Sequence, residues 1–286
     1  MKRIFRTIGE ATRVLLGRKP AGRGLTVFDD DVFIVSYPRS GNTWLRFLVG
    51  NLVRQDEPVT FANLESQIPE IYMFPDRILR GLPRPRILKS HECFDPRYKK
   101  IIYVVRDPRD VAVSYYHYAI KRKKIADSYP LEKFVPRFLN AEFDVDWKWS
   151  ASWSDHVMSW TCLRRNHDGF LLLRYEDLLQ EPEQVVSRIA AFLQLDATPE
   201  RVARAIQLSS AEVMGSLEKS QGQAWKLTKD TRQDKPFIRA AKSGQWHTEL
   251  PASSVAQIES AWGALMTDMG YQVSEAATTQ PLRAGR

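Results

Sequence analysis

The feature that most constrains this chain is an apolar run ending abruptly in a polar, glycine-containing loop: Phe33-Ile34-Val35-Ser36-Tyr37-Pro38-Arg39-Ser40-Gly41-Asn42-Thr43-Trp44. The run reads as a buried strand, and Leu45, Leu48, Val49 and Leu52 then recur at helical spacing. Strand, short polar loop and helix together turn backbone N–H groups toward an anion at a helix N-terminus. Gly41 permits close backbone approach, Ser40 and Thr43 add hydroxyl donors, and Arg39 adds a fixed positive charge. The outline is a phosphate cradle, although the GxxxxGK(S/T) pattern of a Walker A loop is missing. Ser, Gly and Asn serve equally well as ordinary turn and cap residues, so the loop alone leaves both readings open.

A second element has the same form. Lys99 to Val105 reads as another buried parallel strand and runs into Arg106-Asp107-Pro108-Arg109-Asp110. Pro108 favours a helix start just there, and Val111, Ala112, Tyr115, Ala119 and Ile120 continue the helix. Arg106 thus falls at the carboxyl end of a strand, with Ser114 on the following helix; open α/β sheets bind ligands outside those ends. A guanidinium fork beside a hydroxyl suits a phosphate monoester. The structural alternative is an ion pair of Arg106 with Asp107 or Asp110. Between the two elements, Arg86 to Glu92 reads as a third short strand ending in Lys89-Ser90-His91. A lone histidine is commonly structural. One placed at this sheet edge, with an imidazole titrating near ~6.5, is also a candidate general base.

Together these residues resemble the sulfotransferases that use 3′-phosphoadenosine 5′-phosphosulfate (PAPS), the cytosolic type and its bacterial relatives. Tyr37 to Trp44 is similar to that family's 5′-phosphosulfate loop, usually YPKSGTTW, with Arg39 in place of the lysine. Arg106 to Tyr116 resembles the element in which an Arg and a Ser eight residues later hold the 3′-phosphate. Lys89-Ser90-His91 is similar to the Lys-Thr-His that carries the catalytic base, and Leu173 to Asp177 to the strand end whose Tyr lies against adenine. Phe237-Ile238-Arg239 with Gly244-Gln245-Trp246 resembles the late segment that closes over the cofactor, and Ser209-Ser210 a Thr-Ser pair followed by Ala211 where a stacking Phe is usual.

The resemblance implies a central parallel β-sheet flanked by helices on both faces, the P-loop-like sulfotransferase fold, over one catalytic domain at 29–274. It implies sulfuryl transfer from PAPS to a hydroxyl or amine, with no metal expected. His91, Arg39 and Lys89 would be catalytic. Arg39, Ser40, Gly41, Asn42, Thr43, Trp44, Arg106, Ser114, Tyr175, Ser209 and Arg239 would bind the nucleotide, with adenine packing resting on Trp44 and Tyr175. A P-loop nucleotide kinase and a non-catalytic PAPS-binding relative are the competing readings. The absent Walker lysine argues against the first, and the presence of Lys89 and His91 against the second.

Composition agrees with this class. At 286 residues and 43% hydrophobic the chain can bury one full α/β core, and a net charge of +8 favours anionic ligands. Its aromatics sit in apolar runs instead of interleaving with a basic stripe, which argues against nucleic acid. Cys93 and Cys162 make no disulfide framework and share no ligand spacing with the histidines, so a cytoplasmic, zinc-free protein is expected. No run reaches the ~20 apolar residues of a membrane span. The acceptor, whether small molecule, glycan or lipid, is not legible, nor is the oligomeric state.

The remaining expectations concern the ends and the connecting segments. A basic N-terminal segment occupies 1–28. An amphipathic pattern over 1–24 allows a helix packed on the domain, a frayed basic end, a transit peptide or weak contact with a membrane surface. Residues 121–152, with Trp147, Trp149 and Trp153 near their end, border the acceptor pocket in the resembling family and are expected to form a mobile aromatic lid, a solvated charge run and ordinary core aromatics being the alternative. His156 and Trp160, one helical turn apart, would line the same pocket or serve helix packing alone. Residues 215–236 are expected to be a polar loop that orders on cofactor binding. Helical stripes are expected at Val186 to Leu193 and at Val255 to Met269, stopped by Gly270, with a disordered tail at 275–286.

Overall fold

The computed structural model describes residues 19–142, 151–225, 227–239 and 242–274. Elements in chain order are β1 (Val32–Ser36), α1 (Asn42–Val53), α2 (Leu64–Gln67), α3 (Asp76–Arg80), β2 (Ile87–Ser90), β3 (Lys100–Val105), α4 (Pro108–Lys121) and α5 (Leu131–Leu139). There follow α6 (Trp153–Arg164), β4 (Phe170–Arg174), α7 (Tyr175–Gln180), α8 (Pro182–Phe192), α9 (Pro199–Leu208), α10 (Ala211–Gln221), α11 (Trp246–Glu249) and α12 (Ala252–Asp268). The strands form one four-stranded sheet in the order β2-β1-β3-β4, and every pairing is parallel. Parallel neighbours need long crossovers, which the helices supply on both faces.

Alternation along the strands divides the core in two. Phe33 and Val35 of β1, with Ile101, Tyr103 and Val105 of β3, pack against α4, α5, α6 and α12. Val32, Ile34, Ile102 and Val104 point the other way, into Leu45, Leu48, Val49 and Leu52 of α1 and the apolar stripes of α8 and α9. The expected doubly covered parallel sheet is what forms. The stripes at 186–193 and 255–269 fall on α8 and α12, and Gly270 follows with φ +82, the left-handed conformation that ends a helix.

Register determines where the site lies. Val35 of β1 stands beside Ser90 of β2 and Tyr103 of β3, and Val105 stands beside Arg174 of β4. The four strands therefore release the 37–41 loop, His91, Arg106 and Tyr175 at one level of the carboxyl edge. The helix after β3 begins where Pro108 predicted, its Asp107 cap accepting the Arg109 backbone N–H at 2.9 Å.

Three sequence-based expectations need correction. Trp153 is not part of a lid: it is fully buried at the start of α6, its indole N–H donating to the Arg106 carbonyl at 3.2 Å. His156 and Trp160 are also fully buried and belong to the core behind β2. The first part of the expected 215–236 loop is helix, since α10 runs to Gln221. The segment after it is pinned where Lys121 Nζ donates to the carbonyls of Arg232 (3.0 Å) and Lys235 (2.6 Å). Trp147, Trp149 and residues 1–18 and 275–286 lie outside the described residues, while Ala21 and Gly22 are bonded to the Phe74 and Ile71 carbonyls and Leu25 is buried in the core. No helix among the described residues is long and apolar enough to cross a membrane.

Candidate active site

The 37–44 loop is shaped by two residues in left-handed conformation, Arg39 with φ 69 and Gly41 with φ 97. Gly41 caps α1, and its bare Cα is required sterically, since a Cβ there would stand 2.5 Å from Cδ2 of Tyr175. Tyr175 closes against the loop from β4's end, edge-on to Trp44 at 5.4 Å, with the Arg106 guanidinium 4.2 Å from its ring centre. Loop, Arg106 and the two aromatic rings are thus one packed unit.

Three guanidinium groups meet here. Arg39 Nε donates to Ser114 Oγ at 3.2 Å, and its guanidinium carbon lies 4.6 Å from the Tyr118 ring centre and 4.7 Å from that of Phe237. Burial pushes its pKa down to about 10, and the neighbouring Arg106 and Arg239 push the same way. No carboxylate among the described residues pairs with Arg39. Arg106 donates to the carbonyls of Lys242 (3.0 Å) and Arg39 (3.4 Å), and Asp110 stands off at 3.8 Å. The Asp110 carboxylate is engaged by the Gly244 and Trp246 N–H groups, and Asp107 takes Arg109, so neither is a tight partner for Arg106. Arg239 is held by Glu249 at 2.6 Å. Buried Ser40 Oγ and Arg106 Nε have no partner. The three clustered guanidinium groups suit an anionic ligand.

At the rim, His91 is buried, and its Nδ1 lies 2.6 Å from the Ser36 carbonyl oxygen. A carbonyl only accepts, so Nδ1 carries the proton and Nε2 the lone pair. Burial pulls the imidazole pKa well below its usual 6.5, and the Lys89 charge adds to the effect. Lys89 is itself buried and paired to Glu70 at 2.7 Å. The sequence reading did not find Glu70; its only signal, a carboxylate in an otherwise apolar 68–71 stretch, pointed to no partner. Ser36 and Tyr118 were given no role either, although Tyr118 lies one helical turn beyond Ser114; Phe237 falls in the segment expected to close over the cofactor.

One cavity is lined by Arg39, Gly41, Asn42, Thr43, Trp44, Lys89, His91, Arg106, Ser114, Tyr175 and Arg239. Two expected residues stand apart from it. Ser40 is buried beneath the loop, and Ser209 is behind the wall, its hydroxyl accepting from Asn51 at 3.0 Å while its carbonyl accepts from the Trp44 indole at 2.9 Å. Ser209 therefore supports Trp44, and Ala211 and Met214 provide the cavity wall on that side. Asn42 donates to Ser36 Oγ at 3.1 Å, tying the loop to the strand end that orients His91.

An α/β sheet with an arginine-rich β-loop-α cradle and a histidine beside it suits a protein that handles an anionic ligand. Comparison with known proteins makes the class specific. The model of the sulfotransferase domain matches residues 29–270, and the chain belongs to that family. It is 29% identical to mouse sulfotransferase 1B1, covering 81% of each chain. It is 30% identical to Arabidopsis thaliana cytosolic sulfotransferase 12, over 81% of this chain and 76% of the other. Among solved structures, mouse sulfotransferase SULT7A1 complexed with PAP superposes with a TM-score of 0.70 at 23% identity, covering 87% of this chain and 89% of that one. Retinol dehydratase with androsterone and inactive cofactor PAP gives 0.73 at 21% identity, covering 87% and 84%.

Proposed function

We propose that this sulfotransferase moves the sulfuryl group from PAPS to a hydroxyl or amine of a small-molecule acceptor, with His91 as general base. The observation that carries the reading is the His91 Nδ1–Ser36 carbonyl bond of 2.6 Å, which puts the proton on Nδ1 of a histidine that lines the same cavity as three arginines. The donor set fits a doubly phosphorylated nucleotide. Arg106, Ser114 and Arg239 suit one phosphate, the 39–43 loop the other, and Trp44 and Tyr175 the purine. The PAP complexes of proteins with this fold support that choice of ligand.

When bound, PAPS supplies a sulfuryl group on a phosphate leaving group. His91 Nε2 takes the acceptor proton, a role worth on the order of 10²–10⁴ in rate. The low pKa of His91 keeps it neutral, hence competent as a base, across the physiological range. Arg39 and the N–H groups at the start of α1 meet the charge that grows on the leaving phosphate. Lys89, held by Glu70, lines the same cavity, and its charge helps to lower the His91 pKa.

Two variants test this, using labelled PAPS with 4-nitrophenol, a 3-hydroxysteroid and an alkylamine as acceptors. His91→Ala should lose turnover at least 100-fold while binding adenosine 3′,5′-bisphosphate normally. Arg106→Ala should weaken that bisphosphate far more than adenosine 5′-phosphosulfate. An active His91→Ala, or equal losses for both ligands with Arg106→Ala, would overturn the corresponding assignment.

A further inference from the structure

His91 follows the last residue of β2 and lines the cavity, and the only contact β2 itself makes to the backbone beyond Ser90 among those described is Ser90 Oγ, which accepts the Glu92 N–H at 3.0 Å. That backbone is held by one face of α6. His156, Ser159 and Trp160 stand at i, i+3 and i+4, so they project side by side. His156 Nε2 lies 3.1 Å from the His91 carbonyl oxygen. The Trp160 indole N–H donates to the Glu92 carbonyl at 2.9 Å. Ser159 Oγ accepts the Phe94 N–H at 3.1 Å and donates to the His156 carbonyl at 2.8 Å. From the other side, the His91 N–H donates to the Tyr72 hydroxyl at 2.9 Å.

The protonation of His156 follows from its partners. A carbonyl cannot donate, so Nε2 carries the proton; Nδ1 must then accept, and the Tyr103 hydroxyl at 2.8 Å donates to it. A single polarised chain therefore runs from Tyr103 of β3 through His156 of α6 to the carbonyl of His91. His156 and Trp160 are both fully buried, and full burial lowers the His156 pKa to about 4, so the chain stays neutral and keeps its direction at physiological pH.

We infer that the α6 face of His156, Ser159 and Trp160, with Tyr103 behind it, is a positioning device for the catalytic base: it fixes the 91–94 backbone and thereby the placement of the His91 imidazole. The inference rests on the assignment of His91 as base. None of these α6 residues lines the donor cavity, so the device acts on the chemical step and leaves nucleotide binding alone. Loosening a reacting group by about 1 Å can cost on the order of 100-fold in rate.

The test uses the full chain and whichever of the three acceptors gives the highest rate. His156→Leu, which removes both polar contacts, should lower kcat about 10- to 100-fold while leaving affinity for adenosine 3′,5′-bisphosphate within twofold. His156→Gln, which keeps an N–H near the Nε2 position, should recover most of that loss. Trp160→Phe removes the donor to Glu92 while keeping an aromatic ring, though a smaller one, in the core, and carries the test should the leucine variant not fold; its kcat should fall with nucleotide affinity unchanged. Wild-type kcat in Trp160→Phe and in a folded His156→Leu overturns the inference, as does loss of kcat and nucleotide affinity in parallel. An inactive His91→Ala beside fully active His156→Leu and Trp160→Phe would refute the positioning device and leave the base standing. An active His91→Ala would remove the base assignment itself.

Discussion

Gly41→Ala is the most discriminating single change, because one methyl group is asked to violate two constraints. The first is backbone: φ is 97 at this position, and an L-residue with a Cβ pays about 1–2 kcal/mol for a left-handed conformation. The second is steric. The new Cβ would meet Tyr175 at 2.5 and 2.8 Å, and the ring has little room to retreat, being packed by Trp44 and Arg106 and almost wholly buried. Overpacking of this kind costs about 1–3 kcal/mol, for a total of about 2–5 kcal/mol. At this size that is a fall in Tm of about 5–15 °C. Because Tyr175 and Arg106 both line the cavity, displacement should also weaken adenosine 3′,5′-bisphosphate at least tenfold, by a calorimetric titration of the folded variant at low temperature. The two constraints separate in a Tyr175→Ala background, where only the backbone part should remain; a coupling of at least 1 kcal/mol is expected from the double-mutant cycle. Wild-type melting and wild-type binding in Gly41→Ala would refute the description of loop and ring as one packed unit.

Two further outcomes follow from the buried charges. Glu70→Gln removes the carboxylate from a buried ion pair, so stability should fall by about 3–5 kcal/mol in a denaturant titration, and a change below 1 kcal/mol would show that the pair is not buried in solution. The pH profile of kcat/KM should hold its plateau below the ordinary imidazole range: a base with a lowered pKa stays neutral until the pH falls through that lower value, and activity is lost only there. An acid limb centred at or above about 6.5 would contradict the burial of His91 in the free enzyme.

What was legible in the sequence was whatever is local. Strand, loop and helix at 33–52 follow from periodicity and one glycine, the start of α4 from Asp107-Pro108, and the cations of the site from their positions at strand ends. What was not legible depends on pairs distant in the chain. Nothing in the 68–71 stretch says that Glu70 will meet Lys89, and nothing at Ser36 says that its carbonyl will orient His91. Trp153, His156 and Trp160 show the same limit from the other direction. Their helical spacing was visible, but an amphipathic pattern gives the face without naming what it faces, and the neighbour is the back of the strand end, not an acceptor pocket.

Those long-range pairs are all consequences of register. With Val35 beside both Ser90 and Tyr103, Ser36 leaves β1 level with His91 after β2 and two residues short of Arg106 after β3. A slip of β2 by one residue would exchange its faces: Leu88, in the core on the side of α4 and α6, would turn toward α1, and the imidazole of His91 would turn away from the Ser36 carbonyl. The site therefore needs no separate device to bring base and cradle together. The same apolar alternation that buries Phe33 and Val35 on one face and Ile34 on the other places His91 against the loop, and α6, packed on the Phe33 and Val35 face, adds its contacts to the backbone just beyond β2.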